Sequence, residues 1–165
     1  QTERLTKKNL IIDTAYCSSN GDNGDFKNHT LYDHNYKEFR CELTEKLIID
    51  RLSEVYVESI SFMNLSTSII DGEPIYLNIK QFPKYSYSNN PYARNKYIIS
   101  EPWGVSKYDK AKSKKMNYLT TVNPMTIEDI EFTLEYESVG PPVLLGSIFK
   151  TDGRAIIELV IVSKD

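Results

Sequence analysis

The sequence predicts an all-β protein, because several observations point to strands and none points to long helices. Apolar residues alternate with polar ones over short stretches, as they do in strands that bury one face. Turn-forming Gly, Pro, Asn and Asp residues separate these stretches. No amphipathic helix longer than two turns and no internal repeat is visible. Together these features predict a sandwich or a barrel rather than alternating strands and helices.

The length and composition of the chain fit one domain. Its 165 residues can bury a sizeable core, and its hydrophobic (40%) and charged (26%) fractions are ordinary for a globular protein. A net charge of -3 argues against a general nucleic-acid binder. No apolar run approaches the roughly 20 residues of a membrane-spanning helix. We therefore expect a single domain over residues 1–165 with residues 1–8 as an N-terminal arm, no nucleic-acid partner and no membrane span.

The stretch Arg51–Met63 (RLSEVYVESISFM) is the longest run rich in β-branched and aromatic residues. Read with a period of two, Val55 and Val57 fall on one face, and Tyr56 and Ile60 fall on the other. A strand that is apolar on both faces is usually covered on both sides. The stretch therefore predicts a strand in the interior of a sheet, with the rest of the fold arranged around it.

Shorter patterns predict the remaining strands. The run Ala155–Val162 (AIIELVIV) is again apolar on both faces and predicts a second central strand. Asp152-Gly153, just before it, predicts a hairpin turn from Ser147–Lys150. Leu47–Leu52 reads as a short helical turn. The other predicted strands are Leu10–Thr14, Phe39–Leu43, Ile75–Ile79, Tyr97–Ser100, Tyr118–Val122 and Ile130–Tyr136.

About eight major strands with long loops favour one architecture among the all-β folds. This is a single jelly-roll sandwich of two four-stranded antiparallel sheets. The immunoglobulin-like sandwich is the main alternative, and it is disfavoured because the only Trp, Trp103, lies beyond both cysteines instead of between them.

The two cysteines, Cys17 and Cys41, fit neither a disulfide-rich scaffold nor a zinc site. We expect two free thiols in a reducing compartment. Cys41 should face the core together with Phe39 and Leu43, whereas Cys17 borders a long polar loop. The pattern therefore predicts that only Cys17 reacts quickly with a thiol reagent.

No motif for catalysis or for cofactor binding is present. Both histidines, His29 and His34, lie in the polar loop Cys17–Tyr36 together with several aspartates, and we interpret this loop as solvated rather than metal-binding. We therefore expect no enzymatic activity, no catalytic residues, no metal and no cofactor. The glycosylation sequons at Asn28 and Asn64 matter only if the chain is secreted.

Three surfaces are candidates for contact with a partner. The loop Lys84–Lys96 combines Tyr with Ser and Asn, which is typical of recognition loops. The basic stretch Lys107–Lys115 and the acidic face of Ile130–Tyr136 carry opposite charges. The candidate interface residues are Tyr85, Tyr87, Tyr92 and Arg94 in the loop, Lys114 and Lys115 in the basic stretch, and Glu131, Glu135 and Glu137 on the acidic face.

The order of these features resembles a known family. The strand LIIDT ending in Asp13, the strand KEFRCEL and the run VYVESISFMNLS, which includes Asn64, occur in that order. This order resembles the single jelly-roll penton and minor capsid proteins of nucleocytoplasmic large DNA viruses and virophages. The resemblance covers Asn9 to about Leu65 in pattern and the whole chain in strand order.

This resemblance implies a structural viral protein of the icosahedral virion, assembled in the host cell. A penton forms homopentamers at the fivefold vertices, with a double jelly-roll major capsid protein and other minor capsid proteins as partners. Two alternatives stay open. One is a minor capsid protein elsewhere in the shell, and the other is a carbohydrate-binding jelly roll that stacks sugars on Tyr85, Tyr87, Tyr92 and Trp103.

Overall fold

A computed structural model describes residues 5–20, 26–28, 38–65, 75–91, 94–99, 111–112, 117–136, 143–144 and 149–164. Within these residues the chain forms β-strands and one short 3-10 turn, Thr14–Tyr16, with no α-helix, so the all-β prediction is confirmed. The strands are β1 (Leu5–Asp13), β2 (Ser18–Asn20), β3 (Phe26–Asn28), β4 (Glu38–Ile49), β5 (Ser53–Leu65), β6 (Ile75–Ile79), β7 (Tyr97–Ile99), β8 (Ala111–Lys112), β9 (Asn117–Val122), β10 (Met125–Tyr136), β11 (Val143–Leu144) and β12 (Phe149–Lys164).

The first sheet is antiparallel and has five strands in the described part of the chain. Its order is β1–β12–β5, and both β8 and β9 pair with the other edge of β5. The pairing of β12 with β5 runs from Phe149 opposite Leu65 to Ser163 opposite Ser53. Both stretches predicted to be central strands therefore lie in the interior of this sheet.

The second sheet is also antiparallel and has seven strands within the described ranges. Its order is β3–β2–β4–β10–β6–β7, and β11 pairs with the end of β10. The sequence predicted four strands in each sheet. The difference arises from the short strands β2, β3, β8 and β11, which lie in segments predicted to be loops or connections.

One hydrophobic core receives side chains from both sheets. Ile12, Val55 and Ile157 of the first sheet belong to the same buried cluster as Phe39 and Ile130 of the second. Because each strand turns every second side chain toward this cluster, the other side chains form two outer faces. These outer faces are the surfaces that a partner can reach.

In the sequence of β5, apolar residues occur at both odd and even positions. This pattern was predicted to mean that both faces of the strand are covered, but the structure shows a different cause. Its buried aliphatic and aromatic side chains are Val55 and Val57 in the first half, but Ile60 and Phe62 in the second. The change from odd to even positions occurs at Glu58, an exposed extra residue that has no counterpart in β12. A β-bulge turns the following side chains to the opposite face. The same side of β5 is therefore buried from Ser53 to Phe62.

The hairpin predicted at Asp152-Gly153 is not formed. The residues on both sides of this pair belong to the single strand β12 and pair with the same neighbour, β5. Phe149 lies opposite Leu65 and Arg154 lies opposite Met63, so that residues 150–153 together face one residue of β5. The Asp-Gly pair is thus accommodated as an irregularity within a strand.

Two boundaries also differ from the prediction. Leu47–Ile49 is strand, not a helical turn, because it pairs with Met125–Ile127 of β10, which supplies backbone hydrogen-bond partners. The first strand begins at Leu5 instead of Leu10, since residues 5–8 pair with the end of β12. Half of the predicted N-terminal arm is therefore part of the first sheet.

Candidate functional site

The outer face of the second sheet carries the predicted acidic residues of β10. Ile130, Phe132 and Leu134 are buried, whereas Glu131 and Glu135 point to the opposite side, so the alternation in β10 is confirmed. Both carboxylates are only partly exposed, with side-chain exposures of 18% and 16%. They are therefore shielded by neighbouring groups.

Neighbouring strands supply cations to this face. Lys80, just after β6, lies 3.0 Å from a carboxylate oxygen of Glu131, and Arg40 of β4 lies 3.9 Å from the other oxygen. Arg40 also donates a hydrogen bond of 2.8 Å to Asp129. The hydrogen bond to Asp129 raises the pKa of Arg40, and the one to Glu131 raises the pKa of Lys80. Both cations thus stay charged at any physiological pH.

The Tyr-rich loop lies against the same face. Lys96 at its end forms an ion pair of 2.9 Å with Glu135, and its ammonium group lies 5.7 Å from the ring centroid of Tyr76. Asn90 donates a hydrogen bond of 3.3 Å to the hydroxyl group of Tyr76. As a result Tyr76, on the outer side of β6, is only 2% exposed. Two of the three predicted surfaces therefore form one continuous structure.

These contacts change the interpretation of the acidic face. We expected its carboxylates to meet water or a partner. Instead, Glu131 and Glu135 are paired within the chain by Lys80, Arg40 and Lys96. The missed signal is the outward position of Arg40 in β4 and of Lys80 just after β6, since both of these strands flank β10. Cross-strand neighbours on one face of a sheet interact directly.

The loop presents two tyrosines to solvent. Tyr85 is 85% exposed and Tyr87 is 99% exposed. Between them, the backbone N–H of Ser86 donates to the side-chain oxygen of Asn95, and the backbone N–H of Asn95 donates to the Ser86 hydroxyl, both at 3.0 Å. Asn95 adopts a left-handed conformation with φ of 59°, which Asn tolerates better than most residues. This reciprocal pair fixes the backbone that carries both rings.

The base of the loop is attached to the rest of the protein as well. Thr120 of β9, in the first sheet, donates a hydrogen bond of 3.1 Å to the carbonyl group of Pro83. The ammonium group of Lys84 lies 5.0 Å from the ring centroid of Tyr97. The loop is therefore anchored before and after the exposed tyrosines, which lowers the entropy lost when they bind a partner.

The other predicted contact residues have different outcomes. Arg94 is exposed and belongs to the same loop. Tyr92, Lys114, Lys115, Glu137 and Trp103, as well as His29 and His34, lie outside the described residues. No group of His, Cys, Asp and Glu side chains suited to a metal occurs in the described part of the chain. No helix among the described residues is long and apolar enough to span a membrane.

The prediction of two free thiols is wrong, whereas the prediction that Cys41 faces the core together with Phe39 is confirmed. Cys17 and Cys41 are joined in a disulfide with their Cα atoms 4.4 Å apart, so neither is a free thiol. Ser18 of β2 lies opposite Arg40 of β4, which places the preceding residue, Cys17, opposite Cys41. Both are buried, at 4% and 7% exposure. Because disulfides persist mainly in oxidising environments, the expectation of a reducing compartment loses its basis.

The candidate site is thus a rigid loop with two exposed tyrosines, held over an outer face whose charges are paired internally. Such a surface suits the binding of a macromolecule or a sugar. Comparison with known proteins adds no relative: no family model, curated protein or solved structure matches this chain.

Proposed function

We propose that the two sheets form a jelly roll and that the protein is a structural subunit of a viral capsid. Strand order supports the fold. The eight main strands in chain order are β1, β4, β5, β6, β7, β9, β10 and β12. Numbered from one to eight, they follow the order 1-8-3-6 in the first sheet and 2-7-4-5 in the second. This interleaving is the order produced when a long antiparallel pair of strands is wound into two Greek keys.

The strand order is the observation that carries the proposal, together with the resemblance of the sequence to single jelly-roll capsid proteins. Within this class we favour a penton, a homopentamer at the vertices of an icosahedral virion. Its neighbours would be a double jelly-roll major capsid protein and other minor capsid proteins. Since one fold serves many functions, the role also has to be argued from the surface.

The exposed tyrosines supply that surface argument. Tyr is enriched among the residues that contribute most to interface affinity, and its ring supplies a large contact area at a low cost in conformational entropy. Tyr85 and Tyr87 are held by the reciprocal Ser86–Asn95 hydrogen bonds, so little conformational freedom is lost on contact. A closed ring needs two different patches on each subunit. We assign one of them to this tyrosine loop.

The acidic face has a smaller part in this proposal than the sequence suggested. Because Glu131 and Glu135 are paired within the chain, they leave little unbalanced charge to attract the basic stretch of a neighbouring subunit. Affinity between subunits would then come mainly from the tyrosines, with charges contributing to orientation.

Replacing both Tyr85 and Tyr87 by Ala tests the role of the loop. We expect the double variant to need about a tenfold higher concentration to form pentamers, because two exposed aromatic contacts are lost. Leu52→Ala is the control, since Leu52 is a large apolar residue that is 60% exposed but lies outside the loop. Native mass spectrometry or mass photometry of the three proteins measures the change.

Assembled particles give the stricter test of the penton role. Electron microscopy of virions or of co-assembled shells should place the protein on the fivefold axes. Occupancy away from every fivefold axis would contradict the penton assignment and leave a minor capsid protein elsewhere in the shell.

One observation favours a second candidate function, the binding of carbohydrate. Tyr85 and Tyr87 are two residues apart in the loop and both rings are open to solvent, as required for stacking on sugar rings. A glycan array with the wild type and the Tyr85→Ala/Tyr87→Ala variant separates this function from assembly. Two results together would favour the carbohydrate-binding module. The wild type would bind glycans and the variant would not, and the protein would remain a monomer in assembled particles.

A further inference from the structure

A groove of about 520 Å³ runs between β1 and β4, which belong to different sheets. Leu10 and Ile12 of β1, which are buried, and Leu43 and Leu47 of β4, which pack on the core, give it an apolar floor. Tyr16, in the turn after β1, also lines the groove and is largely exposed. The groove is separate from the tyrosine loop and was not anticipated from the sequence.

The strand edges beside this groove have no partners in the described chain. β1 pairs with β12 along one edge only. In β4, pairing with β2 covers Glu38–Arg40, and Lys8 of β1 donates a hydrogen bond to the carbonyl group of Ile48, so within the described residues the same edge is open from Glu42 to Leu47. Unpaired N–H and C=O groups on a strand edge can bind a further strand.

Of the two edges, β1 offers the better template. The pairing of β4 with β10 is interrupted where Leu43–Lys46 lies opposite Glu128 alone, and this bulge prevents a regular ladder. By contrast, the groove segment Asn9–Asp13 of β1 continues in unbroken register with β12. Lysines at the other end of β1 disfavour indiscriminate pairing there.

The groove also carries negative charge. Three carboxylates, Asp13, Glu42 and Glu45, and one ammonium group, Lys46, line it. Asp13 pairs with Arg154 and Lys46 with Glu128, both at 3.4 Å. Glu42 and Glu45 are exposed and form no salt bridge with any described residue. A ligand for this groove should therefore carry basic groups as well as apolar ones.

We propose that this groove binds an extended segment of a partner protein that carries both aliphatic and basic side chains. The segment adds to the first sheet as a further strand and forms backbone hydrogen bonds with Asn9–Asp13 of β1. Alternate side chains of an added strand face the groove. Its aliphatic side chains cover the apolar floor, and its basic side chains reach Glu42 and Glu45 at the rim. This site does not depend on the proposed capsid role.

Fluorescence anisotropy with synthetic peptides and the full chain tests this proposal. The probe is a labelled peptide of alternating Val and Lys. A second peptide replaces Lys by Glu, and a third keeps the side chains but is N-methylated at every residue. We expect the Val–Lys peptide to bind and the Val–Glu peptide to bind at least about tenfold more weakly, because its charges repel the rim. N-methylation should abolish binding, since it removes the backbone donors.

Protein variants test the location of the site. Glu42→Lys/Glu45→Lys should weaken binding of the Val–Lys peptide by about tenfold, a typical effect for two exposed charge pairs. Glu58→Lys is the matched control, because Glu58 is an exposed glutamate of the first sheet outside the groove, and it should leave binding unchanged. Hydrogen–deuterium exchange should show slower exchange of the amides of Asn9–Asp13 when the peptide is bound.

Four results would overturn the proposal. They are the absence of binding by the Val–Lys peptide, equal binding of the N-methylated peptide, equal effects of the groove variant and the Glu58→Lys control, and protection from exchange that excludes Asn9–Asp13.

Discussion

The outward side chains of the two sheets are buried in different ways, although both sheets are antiparallel and cover the same core. On the second sheet, Glu131 and Glu135 are paired with cations, and a loop covers Tyr76. On the first sheet, a row of apolar and aromatic side chains crosses the outward side. Tyr118, Tyr56 and Val160 lie opposite one another on β9, β5 and β12.

This row of the first sheet is stabilised by contacts among its own side chains. The rings of Tyr56 and Tyr118 meet edge to face with their centroids 5.8 Å apart. Val160 is only 5% exposed although it points away from the core. The comparison shows that an outward position can be buried either by a loop fixed through ion pairs or by large neighbours across the strands. Only the first arrangement ties a distant segment of the chain to the sheet.

The largest expected effect on stability is that of replacing Tyr76, which the Tyr-rich loop covers on the outer face of the second sheet. Tyr76→Ala should lower the free energy of unfolding by about 3 kcal/mol, because it removes a buried aromatic side chain together with the contacts to Asn90 and Lys96. Tyr56→Ala on the first face should cost clearly less, since Tyr56 is only half-buried. Urea denaturation of both variants measures the difference. Equal losses would show that the two faces are equally dependent on their aromatic residues.

The next effect is the dependence of stability on alkaline pH, which should differ between buried and half-buried tyrosines. Burial raises the pKa of Tyr97 from 10.0 to about 12, against a hydrogen bond with Asn117 that lowers it. The folded protein therefore keeps this proton where the unfolded chain loses it. Stability is unaffected by Tyr97 below pH 10 and falls by about 2 kcal/mol between pH 10 and 12.

Thermal unfolding across this pH range should thus show a smaller loss in Tyr97→Phe than in the wild type. Tyr56 provides the control from the first sheet. Its pKa is raised as well, but mainly by the hydrogen bond to Glu54 and less by burial. Tyr56→Phe should therefore change the loss of stability between pH 10 and 12 much less than Tyr97→Phe does. An equal change in both variants would contradict the conclusion that the loss is caused by the burial of Tyr97.

The smallest expected effect is that of the ion pairs on the second face. Glu131→Gln removes the carboxylate shared by Lys80 and Arg40, and it should lower stability by roughly a third of the effect of Tyr76→Ala. The loss should shrink at high salt because exposed charges are screened. Glu58→Gln, an exposed glutamate of the first sheet, is the control. Denaturation at low and high salt concentration measures both variants. Equal losses of stability in Glu131→Gln and Glu58→Gln would contradict this account.

The sequence was most informative where local pattern decides the structure. The alternation in β10 placed Ile130, Phe132 and Leu134 inside and Glu131 and Glu135 outside, as observed. Pattern alone also placed β5 and β12 in the interior of a sheet. The prediction for β10 succeeds because the period of a strand depends on the backbone and not on its partners.

Predictions failed where the outcome depends on register between distant segments. The bulge at Glu58 changes which side chains of β5 are buried, and no local pattern marks it. The disulfide requires β2 to pair with β4 in one register, and the partners of Glu131 and Glu135 come from other parts of the chain. Such long-range pairings are specified by the whole fold. The exposure of Tyr85 and Tyr87 likewise depends on how Asn95 holds the loop.

The disulfide has a consequence for the covalent topology of the chain. The bond between Cys17 and Cys41 closes a ring that contains β2, β3 and the start of β4, along with the long polar segment between them. A protease that cuts a single peptide bond inside this ring opens it without dividing the molecule. The nicked protein therefore migrates as one species under non-reducing conditions and separates into two fragments only after reduction. The long polar segment can be cleaved while both sheets remain parts of one molecule.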